Sequence, residues 1–358
     1  MKIAVILGTR PEIIKMSPVI RELEKRQEDY FILHTGQHYS YNLDRVFFEQ
    51  LKLPQARYNL EVGSGSHAQQ TGKILIGVEK VLLDEKPDIV LVEGDTNSVL
   101  AGALAAAKLH VKVGHVEAGM RSYDRNMPEE INRILADDCS DYLFASTEKA
   151  KSILLGEGFP EERIFVTGST IVDALFQNLE IARRSADSEL RTPSLEPGKY
   201  LLATLHCQEN VDDRQRFASI LEGFEKVVTE FRLPVIYPIH PRSRKMMEQF
   251  GLKPAGLNLI EPLSFLSFLR LESNARLILT DSGGVQQEAC ILGIPCVTLR
   301  DNTEWVETLE VGSNMLAGAS PDKIVSCARL MLDKRDRWPN PFGDGKAGER
   351  TVEIIVSQ

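Results

Sequence analysis

Short apolar runs alternate with longer stretches of helical periodicity along the chain. The runs in the first half that read as strands are Ile3–Leu7, Phe31–His34, Ile89–Val92, Val111–His115, Tyr142–Ala145 and Ile164–Val166. Between them apolar residues recur at helical spacing, as in residues 13–23 and 99–109. This alternation is typical of parallel strands joined by helical crossovers, so we predict an α/β fold with a doubly wound sheet.

The same alternation starts again after a polar segment. Residues 181–199 are polar and contain Pro193 and Pro197, which indicates a linker. The strand candidates beyond it are Tyr200–Thr204, Val235–Pro238, Leu277–Leu279 and Cys296–Leu299. We therefore predict two Rossmann-like domains that face each other across a cleft. The first is expected to span residues 1–180 and to be completed by a C-terminal helix within 338–358, and the second to span 181–337.

Composition narrows the class of protein further. At 358 residues the chain exceeds what one hydrophobic core usually supports. Its net charge of −9 provides no basic surface, so no nucleic-acid partner is expected. The apolar run that ends at Leu7 is too short for a signal peptide or a membrane span. The negative charge also provides no polybasic patch for anionic lipid, so no membrane partner is expected. Five scattered cysteines form no C-x-x-C pair, so we expect a cytoplasmic protein without a structural metal.

Charged, histidine and glycine residues follow most of the predicted strands. Ligands of parallel α/β sheets bind beyond the carboxyl ends of the strands, so these residues are candidates for a site. They are Arg10 and Lys15 after the first strand, Asp95, Glu117, His206 and His240 after later ones, and the segment 281–289. The ordinary alternatives are surface ion pairs for Arg10 and Lys15 and satisfied, partly buried side chains for the two histidines.

The segment DSGGVQQEA, residues 281–289, is the most distinctive of these features. Gly283 and Gly284 precede residues with helical spacing, and free N–H groups at a helix N-terminus bind anions. Ser282 either caps this helix or donates its hydroxyl group to a phosphate. Glu288 lies further along the helix, within reach of a ribose bound above it. The alternative is an ordinary strand–turn–helix joint with a serine cap.

Three carboxylates adjoin glycine or proline turns. Asp95, Glu117 and Glu129 are candidates for proton transfer, because a carboxyl group in a cleft with neighbouring acids has a raised pKa. Helix capping is the alternative for Asp95. Glu129 follows Pro128 at a helix start, where acidic residues are favoured by the helix dipole alone.

Several motifs are absent from the sequence. Residues 63–74, GSGSHAQQTGKI, contain a Gly-Lys pair but lack the spacing and the Ser or Thr of a P-loop. No G-x-G-x-x-G follows the first strand, and neither G-x-S-x-G nor H-E-x-x-H occurs. We therefore expect no nicotinamide or other cofactor.

The ordered motifs together resemble those of one enzyme family. They are GTRPEIIK, GDTNSVLAG, HVEAG-R, PEEINR, VTGST-VDAL, LHCQEN, DSGGVQQEA, LRDNTE and NPFGDGKAGER. The set is similar to that of the non-hydrolysing UDP-N-acetylglucosamine 2-epimerases. This resemblance implies the glycosyltransferase-B fold, a UDP-sugar bound in the cleft and a homodimer.

The resemblance also implies roles for individual residues. Those implied to bind the nucleotide are Arg10, Ser282, Gly283, Gly284 and Glu288. Those implied to line the sugar and carry the chemistry are Lys15, Asp95, Glu117, Glu129 and His206. Gln37, His38 and His240 are candidates for a second UDP-sugar site, although Ser40 replaces a glutamine of that site, so we do not expect activation by substrate.

The expected chemistry follows from the sugar itself. The C2 hydrogen of an N-acetylhexosamine is not acidic until the C1–O bond to UDP breaks and the ring becomes oxocarbenium-like. A carboxylate then removes the proton to give a 2-acetamidoglucal, and re-addition of UDP with protonation from the opposite face yields the manno epimer. Which of the three carboxylates removes the proton, and which returns it, stays open.

Other departures keep alternatives open. The resemblance places Thr96 where hydrolysing relatives have arginine, which favours the non-hydrolysing branch. Two residues depart from the bacterial enzymes: Cys207 replaces an arginine and Gln287 replaces a glutamate. The same chemistry on UDP-2,3-diacetamido-glucuronate or a 6-deoxy-N-acetylhexosamine is one alternative. A glycosyltransferase-B glycosyltransferase and a nucleotide-sugar sensor are alternatives from other functional classes.

Overall fold

The computed structural model describes residues 1–37, 41–184, 195–334 and 338–357. For residues 41–44 only the backbone is described. The chain forms two compact units. Unit 1 consists of Met1–Gln177 and Phe342–Gln358, and unit 2 consists of Asn178–Pro341.

The strands are short and the helices longer throughout the described ranges. The strands are β1 Lys2–Leu7, β2 Asp29–His34, β3 Tyr58–Asn59, β4 Ile89–Glu93, β5 Lys112–Ala118, β6 Tyr142–Ala145, β7 Ile164–Val166, β8 Leu201–Thr204, β9 Val235–Pro238, β10 Leu257–Ile260, β11 Leu277–Thr280, β12 Cys296–Thr298 and β13 Asn314–Leu316. The helices are α1 Arg10–Arg26, α2 Tyr41–Gln50, α3 His67–Glu85, α4 Asn97–Lys108, α5 Pro128–Cys139, α6 Glu148–Gly156, α7 Thr170–Arg184, α8 Gln208–Val211, α9 Arg214–Phe231, α10 Pro241–Phe250, α11 Phe265–Ser273, α12 Gly283–Ile291, α13 Val306–Glu310, α14 Pro321–Met331 and α15 Ala347–Val356, with a 3₁₀ turn at Glu161–Arg163.

Each unit is built on one parallel sheet. In the described part of unit 1 the sheet has seven strands in the order β3-β2-β1-β4-β5-β6-β7. In the described part of unit 2 it has six strands in the order β10-β9-β8-β11-β12-β13. The central strands β1, β4, β8 and β11 are apolar and almost wholly buried because helices cover both faces of each sheet. The predicted α/β class with two Rossmann-like sheets is therefore confirmed.

The strands that the hydrophobic pattern did not reveal lie at sheet edges. β3 and β13 have only two and three residues. β10 has half-buried ends and an exposed middle, and Asn258 interrupts its apolar residues. Edge strands are short and partly solvated, which weakens the pattern on which strand prediction depends.

Two local predictions were wrong. The strand predicted at Val111–His115 instead runs through Lys112–Ala118, so Glu117 lies within the strand rather than after it. The polar segment predicted as a linker from residue 181 begins as helix, because α7 continues to Arg184. Its central residues, 185–194, lie outside the described residues.

The last helix packs within unit 1. α15 lies against α1, and Gly348 meets Pro18 so closely that a Cβ atom at position 348 would lie 2.9 Å from the Pro18 carbonyl carbon. The Asp173 carboxylate of α7 accepts hydrogen bonds from the N–H groups of Ala347 and Gly348 at the start of α15. None of the helices formed by the described residues combines the length and apolar character needed to cross a bilayer.

Candidate functional site

A lysine held by two glutamates lies at the carboxyl ends of the central strands of unit 1. Lys15 Nζ, in the second turn of α1, contacts the Glu117 carboxylate and lies 3.1 Å from Glu93 Oε1. The two glutamates come together because β4 and β5 are parallel neighbours, with Glu93 in register with Val116. The side chains are only 22%, 2% and 11% exposed for Lys15, Glu93 and Glu117. We call these three residues the lysine cluster.

Protons are distributed unequally within the lysine cluster. Burial raises the pKa of Glu93 well above its usual value, and only part of this is offset by Lys15. Burial acts in the same direction on Glu117, but the Lys15 ammonium and a hydrogen bond from Glu93 bring its pKa below the usual range. The cluster is therefore best described as Lys15 ammonium, Glu117 carboxylate and Glu93 carboxylic acid, with the Glu93 O–H group donating a hydrogen bond to Glu117.

The backbone at Glu117 is strained. Its φ of 71° lies in the left-handed region that few non-glycine residues adopt. The register against β6 also shifts between Val116 and Ala118, so the pairing of β5 is irregular at Glu117. A strained residue within a buried group of charges is characteristic of a functional position.

A second buried glutamate lies at the start of α1. Glu12 accepts hydrogen bonds from the Gly8 N–H group at 2.6 Å and the Thr9 hydroxyl at 3.0 Å. Burial raises the pKa of Glu12 to about 7, against the lowering effect of these hydrogen bonds. Gly8 has no room for a side chain, because a Cβ atom there would lie 1.9 Å from Ser98 Oγ.

Asp95 belongs to a neighbouring group of polar contacts. It binds the guanidinium of Arg133, and its backbone carbonyl accepts a hydrogen bond from Asn132 at 2.9 Å. The helix cap expected as an alternative role for Asp95 is provided by Thr96, whose hydroxyl accepts from the N–H groups of Ser98 and Val99. The Asp95 side chain therefore pairs with Arg133 and does not cap α4.

The two glutamates at the start of α5 differ in their surroundings. Glu129 is exposed, and it is not among the residues that contact the lysine cluster in the described part of the chain. Glu130 is buried and accepts hydrogen bonds from the N–H groups of Ser122 and Tyr123, both at 2.9 Å. Glu130 therefore fixes the loop before α5.

Arg10 begins α1 and is half-buried. Its guanidinium lies over the Phe47 ring, with 5.4 Å between the guanidinium carbon and the ring centroid. This cation–π contact holds an arginine at the carboxyl end of the unit 1 sheet.

In unit 2 the Ser-Gly-Gly turn begins α12. Ser282 caps the helix by accepting a hydrogen bond from the Val285 N–H group, so the capping alternative is what the structure shows for its side chain. A Cβ atom at position 283 would lie 1.9 Å from Glu304 Oε1, so a larger residue there would displace the Glu304 side chain. Gly284 is exposed, and its N–H group lies at the N-terminus of α12. An anion that approached this end of α12 would meet free N–H groups and the positive end of the helix dipole.

A pocket of about 220 Å³ lies beside this turn in unit 2. His206, His240 and Ser282 line its polar side, and Pro262, Leu263 and Phe268 line its apolar side. The rings of His206 and His240 are 5.5 Å apart between centroids. A flat apolar group with a few polar atoms fits such a lining.

Asp281 organises the loop that carries His206. Its carboxylate accepts hydrogen bonds from the N–H groups of His206 and Cys207 and from the Asn210 side chain. The atoms of His206, Cys207 and Asp281 that could coordinate a metal lie within 4.8 Å of one another, a spacing that is also found in metal sites. However, burial raises the pKa of the Cys207 thiol to about 12, and its S–H group donates to the Asp281 carbonyl. We therefore assign this group to loop geometry rather than to a metal.

Comparison with known proteins identifies the family. The family model described as UDP-N-acetylglucosamine 2-epimerase matches residues 21–356. The UDP-N-acetylglucosamine 2-epimerase of Methanocaldococcus jannaschii is 55% identical, with 99% of each chain covered. The chain belongs to the UDP-N-acetylglucosamine 2-epimerase family.

A solved structure of the same enzyme and one further relative bear on the activity within this epimerase family. A crystal structure of the Methanocaldococcus jannaschii enzyme in complex with UDP-GlcNAc and UDP matches with a TM-score of 0.86 at 55% identity and covers 100% of both chains. The UDP-2,3-diacetamido-2,3-dideoxy-D-glucuronate 2-epimerase of Pseudomonas aeruginosa is 45% identical, with 99% of each chain covered.

Sequence reasoning missed two residues of the unit 1 site. Glu93 directly follows the predicted strand Ile89–Val92 but was not among the candidate residues, and Glu12 entered only as part of the epimerase motif GTRPEIIK. A charged residue at the end of an apolar run was the available signal for Glu93. The buried position of Glu12 depends on the fold of the Gly8–Thr9 turn, which local sequence does not reveal.

The candidate second-site residues are only partly described. Gln37 is buried, and its side-chain oxygen accepts from the N–H group of Ser98 at 3.0 Å and from its hydroxyl at 2.7 Å. His38 and Ser40 lie outside the described residues. His240 is exposed and caps α10 by accepting from the Arg242 N–H group. In unit 2 it lines the pocket beside Ser282.

A buried histidine supports the Gly94–Asp95 turn from below. His115 Nδ1 lies 2.7 Å from Asp137 Oδ1, and His115 Nε2 lies 2.8 Å from the Gly94 carbonyl oxygen. Burial alone would lower the pKa of His115, but Asp137 and the carbonyl raise it above its ordinary value of 6.5. Both ring nitrogens face acceptors, so the imidazolium form is favoured.

This arrangement predicts a pH-dependent stability. Because the pKa of His115 is higher in the folded protein, its contribution is complete below pH 6.5 and is lost as the pH rises through the raised pKa. We expect the difference in free energy of unfolding between wild type and His115→Gln to be largest under mildly acidic conditions and to shrink on the alkaline side. Urea unfolding across that range measures it, and a difference that does not vary with pH contradicts the assignment.

Proposed function

We propose that this protein interconverts UDP-N-acetylglucosamine and UDP-N-acetylmannosamine by inverting C2 of the sugar. The observation that carries the proposal is the lysine cluster: an ionised Glu117 paired with Lys15 and supplied with a hydrogen bond from Glu93. The 55% identity to the Methanocaldococcus jannaschii enzyme over nearly the whole chain supports it.

Unit 2 offers groups suited to the nucleotide. In the proposal the N–H groups at the start of α12, together with Ser282, bind the phosphates, and Glu288 binds the ribose. The apolar side of the 220 Å³ pocket suits a flat uracil ring. Arg10 adds a bidentate cation for the departing diphosphate.

Unit 1 offers groups suited to the proton transfers. The C1–O bond breaks with its electron pair on UDP, whose developing charge is stabilised by Arg10 and the α12 N–H groups. A carboxylate takes the C2 proton, and the C2–H electron pair forms the C1–C2 double bond of a 2-acetamidoglucal. UDP then adds back to C1 while C2 is protonated on the opposite face. Lys15, Asp95, Glu117, Glu129 and His206 are the proposed catalytic side chains, and the order in which the carboxylates act stays open.

The residues fit a reaction that leaves no net change in oxidation state and consumes no second substrate. In the proposal the enzyme therefore needs neither a redox cofactor nor a metal. We also propose that it acts as a homodimer, as the resemblance implies, and in the cytoplasm, as the scattered cysteines favour.

Isotope exchange in D2O tests the reaction directly. We expect UDP-N-acetylglucosamine alone to yield the manno epimer with deuterium at C2, followed by NMR. Product without deuterium contradicts proton exchange at C2. Release of UDP that depends on an added acceptor sugar would instead indicate a glycosyltransferase.

A modified sugar is the second candidate substrate. The 45% identity to the Pseudomonas aeruginosa UDP-2,3-diacetamido-2,3-dideoxy-D-glucuronate 2-epimerase favours it. The same NMR assay with that substrate, and with a 6-deoxy analogue, decides between them by kcat/KM.

A further inference from the structure

A second pair of glutamates is buried in unit 2. Glu272, in the last turns of α11, is 0% exposed, and no N–H or O–H group of the described residues donates to either of its carboxyl oxygens. The polar group in contact with it is the carboxyl group of Glu288 in α12. The proposed mechanism uses Glu288 but has no role for Glu272.

The surroundings of the pair are apolar and carry no compensating charge. Tyr200, Leu271, Ile278 and Ala289 belong to the hydrophobic cluster around it. Among residues 195–334 no cation lies beside either carboxyl group, and the titratable neighbour is the Cys296 thiol of β12, with Cys290 next to it. Burial raises the pKa of both thiols, to about 11 for Cys290, so both are neutral.

Two carboxyl groups in contact without a cation can be joined only by a proton. Two carboxylates would repel each other in a buried site, and a carboxylate has no donor of its own. Burial raises the pKa of Glu272 well above its usual value and that of Glu288 to about 7, while the hydrogen bond from Glu272 acts to lower the latter. Of the two, Glu288 is partly exposed and Glu272 is not, so Glu288 is the one that ionises.

We propose that Glu272 is a positioning residue that stays protonated and donates a hydrogen bond to Glu288, so that Glu288 is presented as an oriented carboxylate to a vicinal diol. This rests on the proposed function, in which Glu288 binds a nucleotide ribose. A carboxylate accepts from both hydroxyl groups of a cis-diol, whereas a carboxylic acid has fewer free lone pairs and one competing donor. Diol recognition therefore requires Glu288 to be ionised and Glu272 to be protonated.

The experiment compares UDP with 2′-deoxy-UDP on the full-length protein. Both ligands carry the same diphosphate, so titration of the phosphates cancels in the ratio of their dissociation constants. We expect calorimetry between about pH 5.5 and 8.5 to show a preference for UDP that grows with pH by roughly tenfold or more, as Glu288 ionises.

Three variants assign the effect. Glu272→Gln keeps a neutral donor to Glu288 and is expected to reproduce the wild-type profile. Glu272→Leu has no donor, so the pKa of Glu288 rises, the preference for UDP appears only at higher pH, and at neutral pH it falls by roughly tenfold. The matched control is Glu222→Leu, an exposed glutamate of α9 paired with Lys226, which is expected to leave the profile unchanged.

The outcomes separate this inference from the proposed function. Glu272→Leu is expected to melt no lower than wild type, because leucine replaces a buried carboxyl group without a donor. A wild-type profile in Glu272→Leu, or the Leu profile in Glu272→Gln, overturns the inference. Equal binding of UDP and 2′-deoxy-UDP by wild type at every pH also overturns it, while UDP binding itself stands. Failure of wild type to bind UDP overturns the proposed function.

Discussion

Replacement of Glu117 by glutamine is expected to lower the kcat of C2 epimerisation by roughly 10² to 10⁴, which is the usual contribution of a positioned general base or acid. Glutamine has nearly the same shape and can still contact Lys15, but it cannot take up a proton. Because Glu117 belongs to unit 1, and the proposed nucleotide groups other than Arg10 to unit 2, we expect the dissociation constant for UDP to change little. NMR kinetics and calorimetry measure the two quantities.

The control for this variant is Glu161→Gln. Glu161 is 70% exposed and forms a surface ion pair with Lys151 in the same unit, so its loss should affect neither rate nor stability measurably. A Glu117→Gln protein that retained more than about a tenth of wild-type kcat would exclude Glu117 as a proton-transfer group.

Replacement of Lys15 by methionine is expected to lower the free energy of unfolding by about 3 kcal/mol, because the Glu117 carboxylate is left without its cation. The lower end of the usual range applies because Lys15 is 22% exposed. Urea unfolding at neutral pH measures the change. Activity should also be lost, since the pKa of Glu117 rises when the ammonium is removed.

Two double variants distinguish which glutamate carries the charge. Glu117→Gln in the Lys15→Met background removes the uncompensated carboxylate and should restore most of the lost stability. Glu93→Gln in that background should restore little, because Glu93 is already a carboxylic acid in the cluster. Equal recovery in both double variants would show that the charge is shared between the glutamates.

Strands that form an uninterrupted apolar run were predictable, whether they are central or at an edge of the sheet. β6 and β7 were predicted to the residue, as was β9. Prediction failed for strands whose residues do not form a continuous apolar run. β10 is too exposed to show an apolar run, and β5 extends through Glu117, a charged residue that a strand pattern would exclude.

The candidate site was predictable only one residue at a time. Strand ends, glycine turns and the family motifs indicated Lys15, Asp95, Glu117 and Ser282. They did not indicate that Lys15 would lie between two glutamates, because that contact depends on the register of β4 against β5. Likewise Glu272 stands in an ordinary amphipathic helix, and only the fold of unit 2 brings its side chain to Glu288.

The left-handed backbone at Glu117 has a consequence for how this fold can change over time. A non-glycine residue in that conformation costs roughly 1 to 2 kcal/mol, and glycine would remove the cost at once. Selection for stability therefore favours glycine at position 117, whereas selection for turnover favours glutamate there. Thermal tolerance in this lineage has to come from other positions as long as the carboxylate is needed.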